Sequence, residues 1–202
     1  MQGDTEWLQK RLGLLTASRF ADLMAKTKTG PSASRKNLIT RLTIERLTGN
    51  YMQTYQNDAM TRGIEMEAEA RKAYEDQELM VVDQADYIPH PTLWYCGCSP
   101  DGLIGDTGLI EIKCPTAEAK HYEALRYGSH AVEYKWQLQG QLWVTGREWN
   151  DAVSYDPRFK GFELAIVRVQ RDEKAIAELE AECIAANEEI EQQLKWFKEK
   201  AA

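Results

Sequence analysis

The sequence contains no apolar run near the roughly 18 residues that a membrane span requires. Its opening residues, Met1-Gln2-Gly3-Asp4-Thr5-Glu6, are polar and acidic and lack the order of a secretory leader. Cysteine is scarce: Cys96, Cys98, Cys114 and Cys183 form no CxxC pair and no disulfide-framework spacing. On a strand Cys96 and Cys98 share one face, but with no further ligand-spaced partner a shared metal is disfavoured. The three histidines, His90, His121 and His130, have no metal-ligand spacing. There is no internal repeat and no low-complexity tract. A soluble, cytoplasmic chain with reduced thiols is expected. At 202 residues it is expected to fold as one domain around one core.

The net charge of -7 looks unsuited to a nucleic-acid partner, but its distribution is uneven. Residues 1–50 hold nine Lys or Arg against four Asp or Glu, whereas residues 51–100 hold three against nine. A basic front followed by an acidic middle matches either an anion-binding face beside a cation-binding cluster or an uneven solvated surface.

Apolar spacing predicts helices over Glu6–Leu12, from Ser18 as N-cap with Phe20, Leu23 and Met24 inward, and over Ser34–Thr48 with Leu38, Ile39, Leu42 and Leu47 inward. Lys26–Ser34 reads as an exposed basic loop, and a further helix runs from near Asp58 to Glu78. Short strands follow at Leu79–Val82, Tyr87–Pro89, Leu93–Cys98, Leu103–Ile104 and Leu109–Lys113. Helical character returns at Ala117–Tyr127 and Tyr134–Val144, then strands at Asp151–Tyr155 and Glu163–Val169. A closing helix over Asp172–Lys198 carries the stripe Ile176, Leu179, Cys183, Asn187, Ile190, Leu194 and Phe197, read as intramolecular packing. The expected class is α/β (α+β), a central mixed sheet flanked by helices.

The stretch that carries chemistry is Ser99-Pro100-Asp101-Gly102-Leu103-Ile104 followed by Gly108-Leu109-Ile110-Glu111-Ile112-Lys113-Cys114-Pro115. Alternation puts Glu111 and Lys113 on one strand face and Ile110 and Ile112 on the other. The Gly105-Asp106-Thr107-Gly108 turn folds this strand back on Leu103–Ile104, so Asp101 can approach Glu111. Alone, Asp-Gly is a turn and Glu-x-Lys a solvated pair. The apolar flanks, however, imply a buried strand, where unpaired charge is expensive. Two carboxylates beside an ammonium make a hard-oxygen site for Mg²⁺ or Mn²⁺, suited to phosphodiester displacement.

Pro100-Asp101 with Glu111-Ile112-Lys113 resembles the PD-(D/E)xK nuclease motif, and the surrounding residues resemble the phage lambda exonuclease, or YqaJ-type viral recombinase, family. Supporting blocks are Trp7–Gly13 with Thr16–Ser18, Arg62–Glu67 with Ala70-Arg71, Gln137–Gln139 with Trp143-Val144, and Tyr155–Arg158. The resemblance implies a single nuclease domain over 1–202, in which residues 1–78 are mainly helical, residues 79–170 form the catalytic sheet and helices, and residues 171–202 form a C-terminal helix. It implies metal binding by Asp101, Glu111 and the Ile112 carbonyl, with Glu67 as outer ligand or water-positioning carboxylate. Glu65 and Glu69, turned away by helical spacing, belong to a solvated face. Lys113 would act on the nucleophilic water. Gln137 would support the site, with Gln139 the other candidate.

A 5′-phosphate pocket would be lined by Arg11, Thr16, Ser18 and Ser99, and Ser18 at a helix start would add backbone donors. Where the family places an Arg after the Lys-Cys-Pro segment this chain has Ala119 and then Lys120, which cannot clamp a phosphate bidentately. The implied activity is Mg²⁺-dependent 5′→3′ digestion of double-stranded DNA ends with two ions per site. The partners it implies are a single-strand annealing protein and further copies of the chain in a homotrimeric ring, its channel lined by the basic N-terminal third. The competing readings are a RecB-like or CRISPR-associated nuclease with an iron–sulfur cluster, which the cysteine spacing disfavours, and a catalytically dead DNA-binding module.

Overall fold

A computed structural model describes residues 5–28, 30–52 and 58–201. The chain begins with α1 (Thr5–Lys10), extends through β1 (Leu15–Thr16), makes a 3₁₀ turn at Ala17–Arg19 and enters α2 (Phe20–Met24). Strands β2 (Lys26–Thr27) and β3 (Gly30–Pro31) pair as a small antiparallel ribbon where a loop is expected from sequence. Helix α3 (Ala33–Thr48) starts at Ser32, whose hydroxyl accepts from the Arg35 N–H, and stops at Gly49 in the left-handed region. Helix α4 (Asp58–Glu78) precedes β4 (Ile88–Pro89), β5 (Cys96–Cys98), β6 (Gly102–Ile104) and β7 (Gly108–Lys113). Then come α5 (Glu118–Tyr127), α6 (Ser129–Glu133), α7 (Lys135–Thr145), β8 (Trp149–Tyr155), β9 (Leu164–Gln170) and α8 (Glu173–Ala201).

The main sheet has the order β6-β7-β8-β9, with β7 and β8 parallel and the outer pairs antiparallel. A second sheet, β1-β5-β4, forms where β1 runs parallel to β5. Apolar residues fill two clusters. One joins Phe20 and Leu23, Ile39 and Leu42, Cys96 and Cys98, Trp143, and Leu179, Cys183 and Ile190 of α8. The other packs Ala70 and Tyr74 of α4 against Ile110, Ile112 and Val153 of the main sheet. All four cysteines are free and buried, and Cys114 belongs to the second cluster while the other three belong to the first. Among the described residues no helix is long and apolar enough to cross a membrane.

Several local expectations are corrected. Leu79–Val82 forms no strand: Leu79 follows the end of α4 with a positive φ of 55° and is exposed. Among the described residues the sheet edge is met there by an Asp83–Leu103 bridge. Leu47 and Phe197 are also exposed, because each lies past the line along which its helix meets the core. Part of the basic excess of the N-terminal third is paired with carboxylates distant in sequence. Lys26 pairs with Glu178 and Glu182, Arg35 with Glu189, and Arg46 with Glu191, all on α8. Arg41 binds the fully buried Glu45.

Helix α7 sits between the first cluster and the main sheet, and its seating depends on Gly140. A Cβ there would stand 2.3 Å from the Phe20 ring. Gly140→Ala gains helix propensity of about 1 kcal/mol but must displace a rigid ring, with overpacking costs on the order of 1–3 kcal/mol. Thermal denaturation is therefore expected to show a Tm lowered by several degrees. A raised Tm would mean that the α2–α7 contact relaxes freely.

Candidate active site

Strand β7 is buried along almost its whole length, and its alternation divides its side chains by chemistry. Ile110 and Ile112 pack into the cluster shared with α4, while Glu111 and Lys113 turn toward α7. The antiparallel register pairs Gly102 with Ile110, so one step further sets Asp101 across from Glu111. Asp101 is fixed there because its Oδ2 accepts the Ile112 N–H at 2.7 Å. Ile112 thus meets the site through its backbone, its side chain being in the core. Glu111 is 3% exposed, and both of its carboxylate oxygens are hydrogen-bonded. Its Oε1 accepts from the Lys113 ammonium and the Gln137 amide, and its Oε2 from the Gln141 amide, each at 2.5 Å. The Lys113 ammonium also stands 4.8 Å from the Tyr134 ring centroid.

Glu67 reaches the cluster from α4. That helix is pinned to the sheet by the Tyr74 hydroxyl, which donates to Asp151 at 2.6 Å, and by the Tyr155 hydroxyl, which donates to Glu69 at 2.8 Å. Glu69 is therefore exposed but bonded, and Glu65 is exposed. Arg71, one turn after Glu67, donates to its carboxylate. Burial holds the Asp101 carboxyl well above the usual carboxylate range, and the charges of Glu111 and Glu67 push it further. Glu67 is raised by its own burial, against the opposing charge of Arg71. For Lys113 desolvation acts downward, but Glu111 and Asp101 outweigh it, and its ammonium is held above its ordinary range.

The cluster is a set of desolvated oxygen donors with an excess of negative charge. Such a donor set fits a hard divalent ion, which needs only one or two carboxylates plus carbonyl, water and substrate oxygens. Among the described residues no three His, Cys, Asp or Glu side chains are grouped so as to hold a metal ion by themselves.

A second group lies at the other end of the Ser99-Pro100-Asp101 segment. Arg11 is 8% exposed, and its guanidinium donates to the Thr16 hydroxyl at 3.0 Å and the Ser18 hydroxyl at 2.9 Å. It stacks 3.9 Å from the Trp7 ring centroid, and the Trp7 indole N–H donates to the Ser99 hydroxyl at 3.2 Å. Among the described residues no carboxylate pairs with Arg11, and burial pulls its pKa down to about 10.

Ser18 acts here through its hydroxyl. The expected N-cap role is corrected: pairing of Leu15 and Thr16 with Cys96 and Gly97 keeps the chain extended, and α2 begins only at Phe20 after Arg19. Lys120 makes its contact with Glu133 at 2.6 Å, apart from the Arg11 group. Gln137, not Gln139, reaches Glu111; Gln139 instead clamps the Gln170 carbonyl and the Asp172 N–H. Gln141 was missed from sequence, although its place four residues after Gln137 sets both amides on one helix face.

The model of the YqaJ-like viral recombinase domain matches residues 6–148. No curated protein matches the chain. Among solved structures, the alkaline exonuclease LHK-Exo from Laribacter hongkongensis is 43% identical, with 98% of each chain covered and a TM-score of 0.90. The same values hold for LHK-Exo in complex with dAMP. A phage-related exonuclease from Haemophilus somnus 129PT shares the fold at a TM-score of 0.75 and 14% identity, with 91% of this chain and 96% of that chain covered. The fold is the PD-(D/E)xK nuclease fold of the alkaline exonucleases, and the chain belongs to the YqaJ-like viral recombinase family.

Proposed function

We propose that the chain is a single nuclease domain, a Mg²⁺-dependent 5′→3′ double-strand DNA exonuclease of phage-type recombination, leaving a 3′ overhang for an annealing protein. The same reading includes a ring-shaped homotrimer acting in the bacterial cytoplasm and Mn²⁺ as a substitute ion. The observation that carries it is a buried guanidinium without a carboxylate partner among the described residues, joined through Trp7 and Ser99 to a carboxylate cluster two residues away at Asp101. A buried cation needs an anion, and a terminal phosphate provides one that the Arg fork and two hydroxyls can bind.

Asp101, Glu111 and the Ile112 carbonyl would hold the divalent ions. When bound, such ions supply Lewis acidity to the phosphoryl group and ease water deprotonation. Lys113 would hold its ammonium beside the attacking water and the negative charge that develops on the phosphoryl oxygens. Gln137 steadies Glu111. Glu67 would orient water from the α4 side. Arg11, Thr16, Ser18 and Ser99 would seat the 5′-phosphate, which places the next phosphodiester at the carboxylates. Attack at that phosphorus with loss of the 3′-oxygen releases a deoxynucleoside monophosphate and regenerates a 5′-phosphate end. The dAMP complex of LHK-Exo supports a monophosphate product of this kind. Lys120 would meet DNA only by leaving Glu133.

Asp101→Ala or Glu111→Ala is expected to abolish cleavage of linear duplex while DNA binding survives. The loss should reach on the order of 10³-fold or more, about 4 kcal/mol of transition-state stabilisation. Near wild-type turnover in Mg²⁺ by either variant would refute the assignment.

Lys113→Ala should depress the chemical step in single-turnover digestion and leave calorimetric Mg²⁺ affinity almost unchanged. Lost affinity with normal turnover at saturating metal is the contrary outcome.

For polarity, Arg11→Ala should slow digestion of 5′-phosphorylated ends more than of 5′-hydroxyl ends. Charge-assisted bonds of this type contribute roughly 1.5–3 kcal/mol each, so the phosphate preference should shrink about tenfold or more. Equal losses on both substrates would move the pocket elsewhere.

A further inference from the structure

The buried polar groups that the catalytic reading leaves without a role include a continuous amide chain behind Glu111. Gln141 and Asn150 are both fully buried, one on α7 and the other on β8. Gln141 donates through Nε2 to Glu111 Oε2 and accepts at Oε1 from Asn150 Nδ2 at 2.7 Å. Strand β8 lies directly beside β7, with Asn150 in register with Leu109, so the chain of amides runs sheet to helix and back to sheet.

We infer that Gln141 and Asn150 are positioning residues that fix the Glu111 carboxylate for cation binding, an inference that rests on the metal-dependent reading above. A carboxamide has one donor end and one acceptor end. Asn150, by donating, commits the Gln141 carbonyl to face away from Glu111 and its NH₂ to face toward it. Turned over, Gln141 would set a carbonyl oxygen against a carboxylate oxygen, and the two would repel. Asn150 touches neither Glu111 nor the proposed substrate path, yet its donor holds the Gln141 amide with its NH₂ turned to the carboxylate.

The arrangement also differentiates the two carboxylate oxygens. Among the described residues Oε1 receives two donors, from Lys113 and Gln137, whereas Oε2 receives only the Gln141 amide. Each oxygen offers two lone pairs, so Oε2 retains a direction open to a cation, and Gln141 sets where that direction points. A neutral amide does this without cancelling the charge that attracts the ion.

The test is Mn²⁺ binding to DNA-free protein, followed by electron paramagnetic resonance, with thermal denaturation alongside. Partners of metal ligands typically change affinity by roughly 10–100-fold when removed. Asn150→Asp, which exchanges a donor for an acceptor and turns Gln141 over, is expected to weaken Mn²⁺ binding by that amount. Gln141→Leu should do the same.

Because the effect of Asn150 passes through Gln141, the double variant should bind Mn²⁺ no worse than Gln141→Leu alone, a non-additivity that simple destabilisation does not produce. If Asn150→Asp does not fold, Asn150→Ala replaces it with the same non-additivity required. Asp101→Ala separates the two levels. If it retains wild-type Mn²⁺ affinity, the metal-site reading itself fails. If it loses Mn²⁺ while the Gln141 and Asn150 variants keep wild-type affinity, or if their losses add, the relay is overturned and the metal site stands.

Discussion

A buried carboxylate on a central strand is the constraint around which the rest of this molecule is arranged. Glu111 lies almost wholly out of water, where an uncompensated charge would be prohibitive. Its satisfaction recruits Lys113 from its own strand face and two amides from one face of α7. Those amides reach it only because α7 is seated closely, and that seating uses the missing side chain at Gly140 against Phe20. The first hydrophobic cluster, which includes α2, α3 and α8, therefore acts on the site at a distance: it presses the amide-bearing helix onto the sheet.

The same logic sets the negative excess of the site. Asp101 and Glu111 are brought together by a tight antiparallel pairing, and α4, anchored through Tyr74 to Asp151, adds Glu67. Burial and repulsion among desolvated carboxylates raise the Asp101 pKa, and in the proposed function a divalent cation offsets that repulsion. Stability and function pull in opposite directions here, as in many sites where burial shifts pKa values.

Arg11 presents the complementary problem. Several other cations of the N-terminal third are paired, Lys10 with Glu6 and Asp86, Arg41 with Glu45, and Lys26, Arg35 and Arg46 with carboxylates of α8, so part of the local excess of basic residues is consumed inside the fold. Among the described residues Arg11 instead has hydroxyls and an aromatic face around it, which orient a guanidinium but add no opposite charge. The covalent shortness of Ser99-Pro100-Asp101 ties this anion-seeking group to the cation-seeking one. In the proposed function that pairing makes the carboxylate cluster a site for a strand end.

What the sequence determined by itself was whatever depends on near neighbours along the chain. Strand alternation placed Glu111 and Lys113 on one face, the Gly105–Gly108 turn brought Asp101 toward Glu111, and most helix and strand positions were legible from apolar spacing. Tertiary structure decided the features whose partners lie far away. Leu79–Val82 has strand composition but lacks a strand beside it, and Ser18 loses its cap position because β5 draws Leu15 and Thr16 into extended pairing. Sequence favours Gln137 over Gln139 only by its place in the motif, and it is the seating of α7 that turns the first toward Glu111 and the second toward Gln170. Asn150 carried no local signal at all, since a buried amide acquires its role only from the group that long-range packing sets against it.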